Sequence, residues 1–251
     1  MESVLIKKDG FIAWVVLNKP KQFNAFDIEL ARDLNDALKD LNNDESIKVI
    51  VIQGSRKYFS IGISLEEFKD KNARQMKEFI YSMNEFYHTI HRLKKPTIAS
   101  ANGFAVANGA GLLFACDMAV CSKSVKIGIT AINVGLTGIG ASLPLRFSLS
   151  KKIVMEMLFT GKTLNAYQAK RMLLINKVVD EKQLDEETHK LALTVAKNNA
   201  SAIEITKTGM ENLMDMPFDK AVDYSSDLFN YLANTNITKQ TIEKSLKKRR
   251  D

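Results

Sequence analysis

Cysteine is scarce in this 251-residue chain: Cys116 and Cys121, both inside an apolar stretch, are the only two. Two thiols without a spaced pattern exclude a disulfide framework, and both are expected buried in a reducing compartment. There are three histidines, and no grouping of His, Cys and carboxylate has metal-ligand spacing, so no metal site is expected. No P-loop and no G-x-S-x-G elbow occurs. Repeats and low-complexity segments are absent. The first ten residues carry Glu2, Lys7, Lys8 and Asp9 with no apolar run, so no secretory signal is expected. Two stretches without charge reach membrane length, Pro96–Cys116 and Ile127–Leu145, but both are interrupted by glycine and small polar residues such as Asn102, Asn108, Thr130 and Asn133. That texture suits buried strand–turn–helix segments rather than membrane spans.

What is present is an ordinary globular composition, 45% hydrophobic and 26% charged, which excludes disorder and collagen. The length suits one large domain, or one with a small appendage. Of the net charge of +7, much sits at the end, where six basic and two acidic residues follow from Lys239 onward. The remainder is nearly balanced, and the tail lacks interleaved aromatics. Both features weaken a nucleic-acid reading and leave a basic helix near something anionic, or a solvated tail.

The patterning predicts an α/β protein. Ser3–Lys8 and Phe11–Leu17 read as strands of a hairpin turned at Asp9–Gly10. Asp27 reads as an N-cap, followed by Leu30, Leu34, Ala37, Leu38 and Leu41 on one helical face. Residues 47–53 (IKVIVIQ) form a buried strand, and Gly54–Tyr58 a basic turn. A long helix is expected over Asn72–Leu93, a strand over Thr97–Ala101, a short helix over Gly109–Cys116, and a strand over Met118–Cys121. Strand–helix alternation of this kind argues for a mixed or parallel sheet. After residue 145 one further strand, Lys177–Val179, is expected in an otherwise helical region broken at Pro217. The division expected is a core over 1–190 and a helical region over 191–251.

Two glycine-containing turns stand out. Phe59–Ser64 follows a buried strand, and Asn102–Gly111 runs from a strand into a helix. Both place backbone N–H groups at a strand end, the second also at a helix N-terminus, where they could stabilise a developing oxyanion. Tight packing of strand on helix needs glycine equally. His88 and His91, three apart, share one face of the long helix.

In order and separation, these turns resemble the enoyl-CoA hydratase/isomerase family, the crotonase superfamily. The resemblance rests on NKPKQFNAF (18–26), KVIVIQGSRKYFSIGISLEEF (48–68), KKPTIASANGFAVANGAGLLFACDMAV (94–120) and FTGKTLNAYQAKRMLLINKVV (159–179), and extends over essentially the whole chain. It implies a β/β/α spiral core followed by a C-terminal helical trimerisation region. It implies binding of an acyl-CoA or acyl-carrier-protein thioester, with CoA as part of the substrate and no separate cofactor, by a homotrimer or hexamer. The oxyanion donors by motif are the N–H groups of Ile63 and Asn108. Asn24, Ala25, Lys57, Ser60 and Ile61 lie in segments that line the CoA site in relatives, and Gly62 and Gly109 flank the two donors.

The departures from the family pattern are as informative. Hydratases place one glutamate where this chain has Gly111 and another where it has Ala131. The isomerase branch places an acid near Thr137–Gly140, where this chain has Ile139. These three residues would instead line an apolar pocket. Ser64 replaces a usual aspartate, and the glycine triplet of the second turn is Ala107–Asn108–Gly109. General acid–base groups contribute about 100- to 10,000-fold each, so ordinary hydration is not expected. Three readings follow. One is decarboxylation through the oxyanion hole alone, with Lys77 or Lys71 holding the carboxylate. Another is hydratase or isomerase chemistry with a displaced base, His88 foremost and Glu66 or Glu67 behind it. The third is a non-catalytic acyl-CoA-binding or scaffold member. The chain ends Arg249–Arg250–Asp251, not in a peroxisomal tripeptide, and a cytoplasmic location is the default expectation.

Overall fold

The computed structural model describes residues 2–55, 57–146 and 148–247. The chain opens with the expected antiparallel hairpin, β1 (Val4–Asp9) and β2 (Ile12–Leu17). Gly10 supplies the positive φ, +55°, that its tight turn requires. Asp27 then caps α1 (Ile28–Asn43), accepting a hydrogen bond from the Leu30 N–H at 2.8 Å. The predicted stripe of α1, Leu30 to Leu41, is buried.

Three passes of chain then repeat one motif: a strand of a large sheet, a three-residue strand of a small sheet, and a helix. The first is β3 (Val49–Gln53), β4 (Tyr58–Ser60) and α2 (Ala73–Arg92). The second is β5 (Thr97–Ala101), β6 (Phe104–Val106) and α3 (Asn108–Ala115). The third is β7 (Met118–Ser122), β8 (Lys126–Gly128) and the one-turn α4 (Ile139–Ser142). Next come α5 (Lys151–Thr160), β9 (Leu164–Asn165), α6 (Ala166–Arg171), β10 (Lys177–Val179) and α7 (Leu184–Ala196). The large sheet runs β1-β2-β3-β5-β7-β10, parallel after its opening hairpin, and the small sheet runs β4-β6-β8-β9. Parallel neighbours require a crossover, and each pass through the small sheet and a helix provides one. This is a β/β/α spiral.

Both faces of the large sheet are covered, which is why β3 reads as an unbroken apolar run. Ile50 and Ile52 point to a core shared with Phe26, Leu34 and Phe86, while Val49 and Val51 point to Ala192 and Ala196 of α7. Asn72 and Gln75 form a capping box that starts α2. Buried polar groups lock α2 to α1: Thr89 Oγ1 donates to Asn35 Oδ1 at 2.7 Å, and Asn35 Nδ2 donates to the Ala31 carbonyl at 2.8 Å.

The small sheet departs from the sequence reading, which treated Tyr58 and Phe59 as turn and gave no strand at Phe104, Lys126 or Leu164. Strands of two or three residues are too short to show a period of two. Both cysteines are buried, and burial pushes the Cys121 thiol well above its ordinary value.

The chain forms two compact units, one through Lys197 and one from Asn198. The boundary expected at 190 falls within α7, whose Ala192 and Ala196 are core residues of the first unit. The second unit comprises α8 (Ala200–Leu213), α9 (Phe218–Ala233) and α10 (Asn236–Lys247), with Pro217 as the break before α9. Among the described residues no helix is long and apolar enough to cross a membrane. Lys248–Asp251, the end of the basic tail, and Arg56 of the basic turn lie outside the described residues.

Candidate functional site

The two glycine turns meet. A Cβ added to Gly62 would lie 2.6 Å from Ala107 Cβ and 3.0 Å from Asn108 N, so the absence of a side chain at Gly62 (φ +93°) lets the strand end approach the start of α3. Gly109 does the same from the other side, since its Cβ would meet the Ser60 carbonyl oxygen at 2.2 Å.

Backbone accounting then identifies unused donors. Phe26 bridges Ile63: the Phe26 N–H donates to the Gly62 carbonyl at 2.7 Å, and the Ser64 N–H donates to the Phe26 carbonyl at 2.8 Å. The Ile63 N–H takes no part in that bridge. Asn108 is the first residue of α3, where a helix leaves its N–H groups without intrahelical partners and its dipole is positive. Ala107, just before it, holds φ +50° and ψ −125°, a strained conformation for a residue with a Cβ.

Asn24 and Ser60 brace this arrangement from beneath. Asn24 is fully buried at φ +53°. Its Oδ1 accepts from the Lys19 N–H at 2.9 Å, and its Nδ2 donates to the Tyr58 and Phe59 carbonyls at 3.2 and 3.1 Å. Ser60 Oγ donates to the Asn24 carbonyl at 2.7 Å and accepts from the Gly62 N–H at 3.1 Å. Their side chains are therefore engaged within the protein. Ala25 is buried beside them, Ile61 is half-buried, and Lys57 is exposed. Next to Lys57, Tyr58 contacts the partly exposed rings of Phe23 and Phe104, at centroid distances of 4.6 and 6.0 Å.

The positions that the resemblance gives to carboxylates differ in setting. Ala131 opens a short 3-10 turn, half-buried. Ile139 heads α4 and is 60% exposed. Gly111 is buried on α3 between α4 and Tyr87, so that a Cβ there would lie 1.8 Å from Tyr87 Oη and 2.9 Å from the Ala141 Cα. A tyrosine hydroxyl thus fills the space into which a side chain at 111 would project. Three residues earlier on each helix, Asn108 Nδ2 donates to Asn84 Oδ1 at 3.2 Å. Two rungs, 84 to 108 and 87 to 111, tie α2 to α3.

A groove of about 720 Å³ runs along α1, α2 and α4, lined among others by Ile28, Ile80, Asn84, Tyr87 and Leu143. His88 stands exposed on its wall, and His91 is also exposed. The structure does not turn His88 toward Gly111; its neighbour Tyr87 holds that place. Lys77 is exposed over the Tyr81 ring, Lys71 pairs with Glu67 at 2.8 Å, and Glu66 pairs with Lys69. Another cavity, about 850 Å³, lies at the carboxyl ends of β3 and β5, but Asp180, Glu181 and Asp185 on its rim suit no anionic ligand. Among the described residues, no group of three or more His, Cys, Asp or Glu could hold a metal ion.

Tyr87 is the residue that sequence reading missed. It carries no expected role beyond its place in the helix over Asn72–Leu93. The signal was Gly111 itself, since a glycine in a helix interior marks close approach by something else.

A β/β/α spiral in which a strand end packs closely against a helix start defines a crotonase-fold protein. Comparison agrees: the family described as enoyl-CoA hydratase/isomerase matches residues 7–251, and the chain belongs to that family. It is 25% identical over 252 residues to the short-chain-enoyl-CoA hydratase of Clostridium acetobutylicum, covering 100% of this chain and 97% of that one. It is 27% identical over 251 residues to the crotonyl-CoA hydratase of Syntrophomonas wolfei, covering 99% and 96%. Among solved structures, an enoyl-CoA hydratase from Mycobacterium smegmatis superposes with TM-score 0.94 at 27% identity, over 98% of this chain and 96% of that one. Human enoyl-CoA hydratase domain-containing protein 3 gives 0.93 at 26%, over 98% of each.

Proposed function

We infer that this protein binds an acyl thioester with its carbonyl oxygen between the N–H groups of Ile63 and Asn108, and that it stabilises the enolate formed there. The names of the relatives support a CoA thioester. The exposed Lys57, beside the Phe23–Tyr58–Phe104 row, suits the CoA phosphates. The reaction that best fits is decarboxylation of a β-carboxyacyl or vinylogous thioester. Loss of CO2 leaves its electron pair in the enolate, and no base is required. The observation that carries this reading is the pairing of Gly111 with Tyr87: the space beside the donors is closed to a carboxylate at 111. The three departures at 111, 131 and 139 also favour a second reading, an acyl-CoA binder without turnover.

A mass-spectrometric screen separates these readings. Full-length protein is given crotonyl-CoA, a 3-enoyl-CoA, and 3-methylglutaconyl-CoA, the last also on a carrier protein, with thermal shift measured in parallel. CO2 loss is the expected result. Prompt hydration of crotonyl-CoA overturns it, and a thermal shift without product supports the binder. Self-association as a trimer or hexamer and a cytoplasmic location complete the proposal.

A further inference from the structure

Tyr87 Oη is the one buried side-chain oxygen or nitrogen among the described residues with no hydrogen-bond partner. Nearly all buried polar groups have a partner, so an orphan calls for an explanation. Here the hydroxyl is packed against Gly111 and is itself out of reach of water, although the ring lines the groove along α1, α2 and α4. Gly111, against which it packs, lies three residues along α3 from Asn108, roughly 4.5 Å of helical rise.

We propose that the Tyr87 hydroxyl is the proton donor of the acyl pocket, delivering a proton to the enolate at the carbon remote from the thioester; this rests on the enolate reading above. The bond between the acyl chain and the carboxylate breaks, CO2 leaves, and the electron pair enters the dienolate whose oxygen is held by Ile63 and Asn108. The terminal carbon then takes the proton from Tyr87 Oη, and the phenolate recovers one from solvent. Burial pushes the Tyr87 phenol above its ordinary value, so it stays protonated through the neutral range. A neutral phenol gives a proton but does not deprotonate water, so the donor set favours CO2 loss over hydration. The groove along α1, α2 and α4, which Tyr87 also lines, gives an acyl group its approach to this residue.

The test uses the full chain and Tyr87→Phe, which removes only the orphan oxygen. With 3-methylglutaconyl-CoA, protonation at the terminal carbon gives the 2-enoyl product and protonation next to the thioester gives the 3-enoyl product. In deuterated water, Tyr87→Phe is expected to lower the 2-enoyl to 3-enoyl ratio at least fivefold and to slow turnover. Acetoacetyl-CoA, whose 3-oxygen reaches the same place, is expected to bind at least fivefold more weakly to the variant. The melting temperature should be unchanged or higher, because no hydrogen bond is lost. Gly111→Ala, whose methyl group would displace Oη, should reproduce both shifts. An unchanged product ratio together with unchanged acetoacetyl-CoA affinity overturns the proposal while decarboxylation stands. Weaker acetoacetyl-CoA binding in a protein that releases no CO2 supports Tyr87 as the donor and defeats decarboxylation.

Discussion

Single residues set the geometry where the two glycine turns meet. Ala107 holds a conformation natural to glycine, and such strain costs about 1–3 kcal/mol. Ala107→Gly therefore relieves strain and adds backbone entropy to the unfolded chain, worth roughly 0.5–1 kcal/mol in the other direction. A net gain of about 1 kcal/mol is expected, read as a higher urea midpoint with unchanged slope. Gly62→Ala acts oppositely: its methyl group would enter the 2.6 Å gap to Ala107 Cβ and part the two donors. Turnover should fall about 100- to 1,000-fold, as when one oxyanion donor is lost. The buried Tyr87 and Cys121 give a pH dependence. Burial raises both above their ordinary values of 10.0 and 9.0. Groups with raised folded values contribute stability that is present below the unfolded values and lost as pH rises. Thermal melts should therefore fall progressively above about pH 9, and Tyr87→Phe should reduce the loss above pH 10.

At the scale of elements, α2 is the beam on which the candidate site hangs, since it carries Asn84 and Tyr87. Its hold on α1 is the buried Thr89–Asn35 hydrogen bond. Thr89→Val leaves the Asn35 oxygen unpaired and should cost about 1–3 kcal/mol, measurable by urea unfolding. Elements long enough to show a period were legible in the sequence. The stripe of α1, the cap at Asp27 and the apolar run Val49–Ile52 of β3 each state their structure locally. The strands β4, β6, β8 and β9 do not, because two or three residues acquire strand character only from neighbours supplied by distant passes of the chain. The same reason hid Tyr87. Its meeting with Gly111 is made by the crossing of α2 on α3: the glycine signals a close approach, but nothing local to either helix names Tyr87 as the partner. Ile63 and Asn108, by contrast, come from the family resemblance, on two turns that the glycine pattern singles out, because backbone donors depend on turn shape rather than side chain.

For the whole molecule, the spiral explains why so small a set of residues makes a site. Each pass brings one strand end and one helix start to the same edge, and two passes bring Gly62 against the start of α3. The second unit exposes large apolar residues, including Phe218 at 82% and Phe229 at 76%. Such exposure marks an interaction surface, and our proposal assigns it to self-association. Light scattering should give a trimer or hexamer, and Phe229→Asp should shift it toward monomer. The central claim is that an enolate is stabilised here by backbone donors without a carboxylate base. The direct measurement is a single reaction holding equal amounts of 3-methylglutaconyl-CoA and crotonyl-CoA, followed by mass spectrometry. The account predicts loss of CO2 from the first while the second stays unhydrated. Rapid addition of water to crotonyl-CoA with 3-methylglutaconyl-CoA untouched would contradict it.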